Sequence, residues 1–491
     1  MTITRREFLI GSTAVYLGSR YAFSSEENVV NDIHSQLNRT VVERIISPTK
    51  TSELQAAIHQ AGSAHKSVSI AGGRHAMGGQ QFGTGTVLLD MRQMNRTLSL
   101  DTERGLLEVE AGAFWPEVIH DYLERQNGDP KQWGLAQKQT GADKLTIGGT
   151  VAANAHGRGL TMKPFVSNVE SLTLANGEGQ LISCSREQNS ELFRLVAGGY
   201  GLFGALATVK LRLIPRQKIQ RVVEIRSADG LMQAFANRIH DGFMFGDFQF
   251  AIDPKSDDFL HKGVFSCYRP VDPATPMPEH EKELSDESWR MLLFLAHADK
   301  TEAFRRYSEY YLSTNGQLYW TDTHQLSFYP ENYHRLIDQK LHATNAASEI
   351  ITEINVPRDQ LASFLNEVRE DFRKNNVELI YGTIRLIEKD EDSYLAWARQ
   401  SYACTIFNLH TVHTAEGQRH SAEAFRRLID MAVRRNGTYY LTYHRYARRD
   451  QVLACYPNFV EFLKLKKKYD PSERFQSDWY SHYKTMFRES I

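Results

Sequence analysis

Cysteine is scarce and never paired. Cys184, Cys267, Cys404 and Cys455 stand far apart in a chain of 491 residues, with no C-x-x-C spacing. That distribution excludes a zinc ribbon or a disulfide framework and predicts four buried thiols; no other spacing points to a metal site. A surplus of either charge is also missing, with 58 Lys and Arg against 59 Asp and Glu. No basic excess offers itself to nucleic acid, and no acidic tail is present. No apolar run approaches the roughly 20 residues of a membrane helix, so no transmembrane segment is expected. Repeats and low-complexity tracts are lacking too. What remains has the size and composition of a globular protein of roughly two to three domains, ample for a core and a cleft.

Residues 1–25 are set apart from the fold. Thr4-Arg5-Arg6-Glu7-Phe8-Leu9 followed by the mildly apolar Ile10 to Gly18 has the layout of a twin-arginine export signal. Ala22-Phe23-Ser24 is the nearest approach to a cleavage site. Such a signal exports folded proteins, which suits acquisition of a cofactor in the cytoplasm, and it implies a periplasmic or secreted protein. A merely basic, frayed N-terminus is the plain alternative and would leave the protein cytoplasmic.

Three glycine-rich elements follow. In the first, Ala71-Gly72-Gly73-Arg74-His75-Ala76-Met77-Gly78-Gly79-Gln80 comes directly after a short strand at Ser67 to Ile70. Glycines there let consecutive N–H groups turn toward one anion, typically a phosphate, although a tight structural turn reads the same way. The second, Ile147-Gly148-Gly149-Thr150-Val151-Ala152-Ala153-Asn154-Ala155-His156-Gly157, is built almost wholly of small residues. It would let a flat ring lie against backbone, or would serve close helix–strand packing, with His156 a satisfied structural histidine. The third, Gly198 to Gly204, contains a literal G-x-G-x-x-G. A helix at Asn189 to Ala197 precedes it and a strand at Leu206 to Leu213 follows, the reverse of the dinucleotide fingerprint.

Between and beyond these elements the periodicity predicts helices at Glu53 to Ala64 and Trp115 to Gln126, and strands at Val87 to Asp90 and Leu106 to Ala111. After Arg216 glycine thins out. Trp289 to Leu312 reads as one long helical stretch. Strands at Ser348 to Val356, Val377 to Leu386 and Ala403 to Val412 alternate with helices at Arg358 to Lys374 and Ser421 to Arg435.

The three glycine elements, in this order, resemble the FAD-binding domain of the vanillyl-alcohol oxidase type (PCMH-type) flavoprotein superfamily over residues 40–215. Gly72-Gly73-Arg74-His75 matches its G-x-x-H segment, Ile147 to Thr150 and Ala155 to Gly157 its second flavin-contacting segment, Val169 to Gly179 its next strand and turn, and Gly201 to Thr208 its closing run. Thr352-Glu353-Ile354-Asn355-Val356-Pro357, Gly382 to Asp390 and Lys468 to Phe475 resemble the aldonolactone and alditol oxidase branch. The resemblance implies an α+β protein: a two-subdomain FAD-binding domain at 40–215, a cap at 216–436 with an antiparallel sheet flanked by helices, and a C-terminal segment, 437–491, returning to the first domain. It implies FAD as cofactor, covalently bonded through His75, with His156 a weaker anchor. It implies contacts from Ala71, Gly72, Gly73, Arg74, His75, Ala76, Met77, Gly79, Gln80, Thr140, Gly141, Ile147, Gly148, Gly149, Thr150, Ala153, Asn154, His156, Gly157, Gly201 and Gly204.

Oxidising an alcohol C–H on a flavin requires hydride acceptance by the ring and removal of the hydroxyl proton by a base opposite it. Strand alternation places Tyr381, Thr383 and Arg385 on one face and Asn408 with His410 on one face of a neighbouring strand, which reads as a wet cleft or a solvated sheet face. Tyr443 and His444 lie where the family's chain returns toward the flavin. Arg385, Tyr443, His444, Asn408 and His410 are therefore the candidate catalytic residues. Alditol oxidases tend to carry a carboxylate two residues before that arginine; here the position is Thr383. The leading expectation is oxidation of a sugar, sugar lactone or related alcohol, with oxygen, a quinone or a cytochrome as electron acceptor. Amine oxidation or double-bond reduction on the same fold, and a flavin-binding protein without turnover, are the alternatives.

Overall fold

The computed structural model describes residues 28–279, 281–327 and 329–491; the twin-arginine segment at 1–25 lies outside them. Three short strands, β1 (Arg44–Ile46), β2 (Val68–Ala71) and β3 (Val87–Asp90), form a parallel sheet in the order β1-β3-β2. Parallel strands need a crossover, and helix α1 (Thr51–Ser63) supplies it between β1 and β2. Its Leu54, Ala57, Ile58 and Ala61 recur at helical spacing and are buried against that sheet.

A second, antiparallel sheet is built from β4 (Thr97–Asp101), β5 (Leu106–Glu110), β6 (Val169–Ala175), β7 (Leu181–Ser185) and β8 (Ala205–Arg212), in the order β7-β6-β8-β5-β4. Helices α2 (Trp115–Arg125), α3 (Ile147–Ala153) and α4 (Ser190–Val196) accompany it. The third glycine element joins α4 to β8, so helix precedes turn and turn precedes strand, as the sequence order implied.

From residue 218 the chain forms an eight-stranded antiparallel sheet: β9 (Lys218–Ser227), β10 (Phe245–Phe250), β11 (Lys262–Pro270), β12 (Leu318–Trp320), β13 (Ala347–Pro357), β14 (Leu379–Ile387), β15 (Tyr402–Val412) and β16 (Thr438–Tyr439). Their spatial order is β12-β9-β11-β10-β14-β15-β13-β16. Helix α5 (Leu231–His240) follows β9. The stretch expected as one helix from Trp289 to Leu312 is two, α6 (Asp286–Ala298) and α7 (Lys300–Ser313). Asp299 breaks it: its backbone leaves the helical region and its carboxylate caps the Glu302 N–H of α7. Helix α8 (Tyr333–Lys340) precedes β13, while α9 (Leu361–Lys374) and α10 (Ala415–Val433) cover one sheet face. Phe364 and Phe372 of α9 meet Phe407 of β15 edge-on on that face.

Alternation then turns Ile351, Glu353, Ile406 and Arg385 to the opposite face. The chain after β16 runs back to the parallel sheet, where Val68 donates to the Arg474 carbonyl (2.7 Å) and receives the Gln476 N–H (2.8 Å). All four cysteines are buried and unpaired. Among the described residues no helix is long and apolar enough to cross a membrane.

Candidate active site

A cleft open to solvent separates the three glycine elements from the inner face of the large sheet. Its first wall is the loop after β2. Arg74 holds a left-handed conformation there (φ 59°) while its guanidinium bonds Asp90 at the end of β3 at 2.9 Å, tying the start of the loop to the end of the neighbouring strand. Gly73 packs so tightly on the neighbouring loop that an added Cβ would stand 2.3 Å from the Lys144 carbonyl oxygen. Only glycine permits that approach. Gly72, Gly73, Arg74, His75, Ala76, Met77 and Gln80 all face the cleft.

The second wall is α3, capped by Thr146, whose hydroxyl accepts from the Gly149 N–H. Gly148, Gly149, Thr150 and Ala153 line the cleft from it, with Gly141 and His156 beside them. Gly201 and Gly204 close the same side, both at positive φ.

Ala71, Gly79, Thr140, Ile147, Asn154 and Gly157, also expected as cofactor contacts, do not line the cleft. Ala71 and Ile147 are fully buried core residues. Asn154 ends α3 in a left-handed conformation and donates its amide to Asp390 at 2.9 Å, so it locks the helix to the cap.

The facing wall comes from the sheet and the returning chain: Ile351 and Glu353 of β13, Ile406 of β15, Arg385 of β14, then Tyr440, Thr442 and Tyr443. Two bonds stitch it to the glycine elements: Gln80 donates to the Thr442 carbonyl at 2.8 Å, and the Tyr440 hydroxyl donates to the Ala153 carbonyl at 2.6 Å.

Of the five candidate catalytic residues, Arg385 and Tyr443 reach this cleft and three do not. His444 is 2% exposed on the other side of β13, where it stacks on Phe425 (4.5 Å between centroids, 7° between planes) and bonds the Thr352 hydroxyl at 3.0 Å. Successive residues 443 and 444 point apart, and Thr352 and Glu353 do the same. Asn408 and His410 share the inner face with Arg385 but sit further along β15, beyond the cleft; His410 borders a separate outer depression.

Glu353, part of the family-like strand Thr352 to Pro357, carries no expected role from the sequence. It is wholly buried at the cleft wall, with Oε1 2.8 Å from His156 Nε2 and Oε2 without a partner. A carboxylate inside the apolar run Ile350 to Ile354 was the available signal, because a buried charge is costly unless it is used or paired. Burial pushes the Tyr443 hydroxyl up, and the Glu353 carboxylate adds to that rise. Both His156 nitrogens are engaged, Nδ1 with the Gly157 carbonyl at 3.0 Å.

His75, by contrast, keeps Nε2 buried and without a partner, and burial lowers its imidazole to about 4. It is therefore neutral at pH 7 and carries a free lone pair. His34 Nε2, Gln80 Oε1 and Gln81 Oε1 are likewise unpartnered around the cleft. Orphaned polar atoms beside a cradle of glycine and alanine fit a ligand with a flat ring and a polar, anionic linker, which describes FAD.

Comparison with known proteins agrees with that geometry. Residues 42–185 match the FAD binding domain family, and residues 209–483, more than half of the chain, match the D-arabinono-1,4-lactone oxidase family. L-gulonolactone oxidase of Bos taurus is 29% identical over 179 residues, covering 36% of this chain and 39% of the relative. Cytokinin dehydrogenase 10 of Oryza sativa subsp. japonica is 30% identical over 195 residues, 38% of this chain and 34% of its own. An uncharacterized oxidoreductase of the fasciation locus of Rhodococcoides fascians is 29% identical over 203 residues, 40% and 44%. The chain thus spans less than half the length of these curated relatives.

Proposed function

This chain belongs to the D-arabinono-1,4-lactone oxidase family and carries an FAD binding domain, and we propose that it is an FAD-dependent oxidoreductase that oxidises a hydroxyl-bearing carbon of a sugar, a sugar lactone or a related alcohol. The observation that carries this reading is the placement of Glu353 Oε2, an unpartnered carboxylate oxygen, on the wall opposite the glycine cradle.

FAD, when bound, supplies the acceptor for the hydride. Loop 72–80 and the small residues of α3 would hold it, with His75 as the covalent anchor. The chain's own residues do the rest. Glu353 Oε2 takes the substrate hydroxyl proton, while the His156 bond at Oε1 fixes the carboxylate in place. Arg385, with Nε free of protein partners, orients the substrate oxygens. Tyr443, kept protonated by burial, donates a hydrogen bond from the same wall. The electron acceptor is oxygen, a quinone or a cytochrome, and the twin-arginine layout at the N-terminus supports action outside the cytoplasm.

Anaerobic mixing with a panel of aldonolactones, polyols and amines tests the assignment. Bleaching of the oxidised flavin by one or more hydroxyl donors is the expected result. Bleaching by amines alone, or by nothing in the panel, would overturn it.

A further inference from the structure

Away from that cleft, on the inner sheet face beyond Asn408, three side chains from three elements converge. His297 comes from the last turn of α6, Glu349 from β13 and His410 from β15, the latter two being directly opposed cross-strand partners. One ring nitrogen from each histidine and one carboxylate oxygen lie within 4.8 Å of one another. We propose that His297, Glu349 and His410 form a binding site for one divalent transition cation of the zinc class.

The donor chemistry fits first. Two neutral imidazoles and one carboxylate are borderline nitrogen and oxygen ligands, suited to zinc and its first-row neighbours and poorly suited to calcium or magnesium. Bonds of about 2.1 Å around a tetrahedral ion hold its donors roughly 3.4 Å apart. The group is therefore already near the required spacing, and small rotations of His297 and His410 complete it.

The hydrogen bonding fits as well. The His297 side chain is only 3% exposed, and its Nε2 stands 2.9 Å from Glu349 Oε1 without the alignment of a hydrogen bond. His410 Nδ1 has no partner at all. The two rings meet at 5.0 Å with their planes 81° apart, an arrangement that points edges rather than faces at a shared space. Two buried imidazole nitrogens without aligned partners are costly in a finished core, and a cation would engage both lone pairs.

An outer layer is present too. The Tyr333 hydroxyl donates to Glu349 Oε2, which fixes the carboxylate's orientation and leaves Oε1 for the ion; His334 Nδ1 stands 2.7 Å from the same Oε2, likewise without the alignment of a hydrogen bond. His410 also borders the outer depression, whose rim carries Glu378, Glu416, Glu423 and His420 together with Arg419, and Lys300 Nζ stands 3.8 Å from Glu378. The three carboxylates outnumber these two cations, which favours the approach of a dication. A bound ion would cross-link α6 to two strands of the cap sheet, so its expected role is to hold that helix on the sheet.

The rival arrangement is metal-free, with Glu349 simply balancing a protonated imidazole. To separate the two, the full-length flavoprotein is stripped with a chelator and dialysed against micromolar Zn²⁺ or Co²⁺, and bound metal is measured by mass spectrometry and by the ligand-field bands of Co²⁺. The proposal expects close to one ion per chain. His410→Ala, at the edge of the site, should cut metal affinity by about tenfold or more while circular dichroism and flavin content stay as in wild type. Glu349→Gln should do the same to affinity, and His420→Ala at the rim should leave the stoichiometry intact. Substoichiometric binding by wild type, full binding by His410→Ala, or loss only in His420→Ala would overturn the site.

Discussion

His156 and Glu353 meet at 2.8 Å in the cleft wall, although 197 positions separate them in the chain. One belongs to the small-residue element after α3 and the other to β13, so the contact joins the cradle to the cap. It leaves one carboxylate oxygen free and fixes the other.

That division of roles predicts how Glu353→Gln should behave. The amide preserves the volume and can still meet His156, so flavin content should stay near wild type. The rate of flavin reduction by substrate should fall by about 10²-fold or more, the usual contribution of a positioned base. Stopped-flow absorbance under anaerobic conditions measures it. A reduction rate within a few-fold of wild type would remove Glu353 from the proton transfer.

His75 is neutral with Nε2 unpartnered at the cleft, whereas His156 has both nitrogens in use. Acid-precipitated wild-type protein should therefore keep its yellow colour in the pellet. His75→Ala should release flavin to the supernatant, and His156→Asn should retain it. Colour held equally by all three proteins would exclude a bond at position 75.

Gly73 faces the Lys144 carbonyl with no room for a methyl group. Gly73→Ala must push two loops apart, at a cost of about 1–3 kcal/mol. Both should register together: a lower melting temperature and a lower flavin-to-protein absorbance ratio. An unchanged ratio would mean that the loop does not shape the cofactor site.

Burial lowers the imidazole of His444 from 6.5 to about 3. As pH falls below 6.5 the unfolded chain takes up a proton that the folded chain refuses until about pH 3, so stability is present above pH 6.5 and is lost on acidification. At about 1.4 kcal/mol per pH unit, moving to pH 5 costs about 2 kcal/mol from this residue. His444→Phe keeps a ring against Phe425 and removes the titration. Its melting temperature should drop less than that of wild type between pH 8 and pH 5; equal drops would assign the acid sensitivity elsewhere.

Much of this was readable along the chain because it is local. Glycine where side chains cannot fit, the 3.6-residue spacing of α1 and the two-residue alternation of β13, β14 and β15 each follow from sterics or burial within a few residues. The break at Asp299 was missed because the apolar spacing continues through it, and a single capping carboxylate outweighs that pattern only when both helices pack. Tyr443 and His444 show the limit most clearly. Adjacent in sequence and equally suited to chemistry, they separate because one side chain meets the cleft and the next meets the α10 side.

The three glycine elements, their order, the imidazole at position 75 and the family they mark are legible along the chain alone, since backbone clearance and periodicity are properties of short segments. That Glu353, and not His444, faces the cradle, that both His156 nitrogens are engaged while His75 Nε2 is not, and that His297, Glu349 and His410 share one space came only with the folded chain. The placements of Glu353, Glu349 and His410 depend on strand register and on which face of a sheet is covered, and a one-residue slip of β13 would turn Thr352 toward the cradle in place of Glu353.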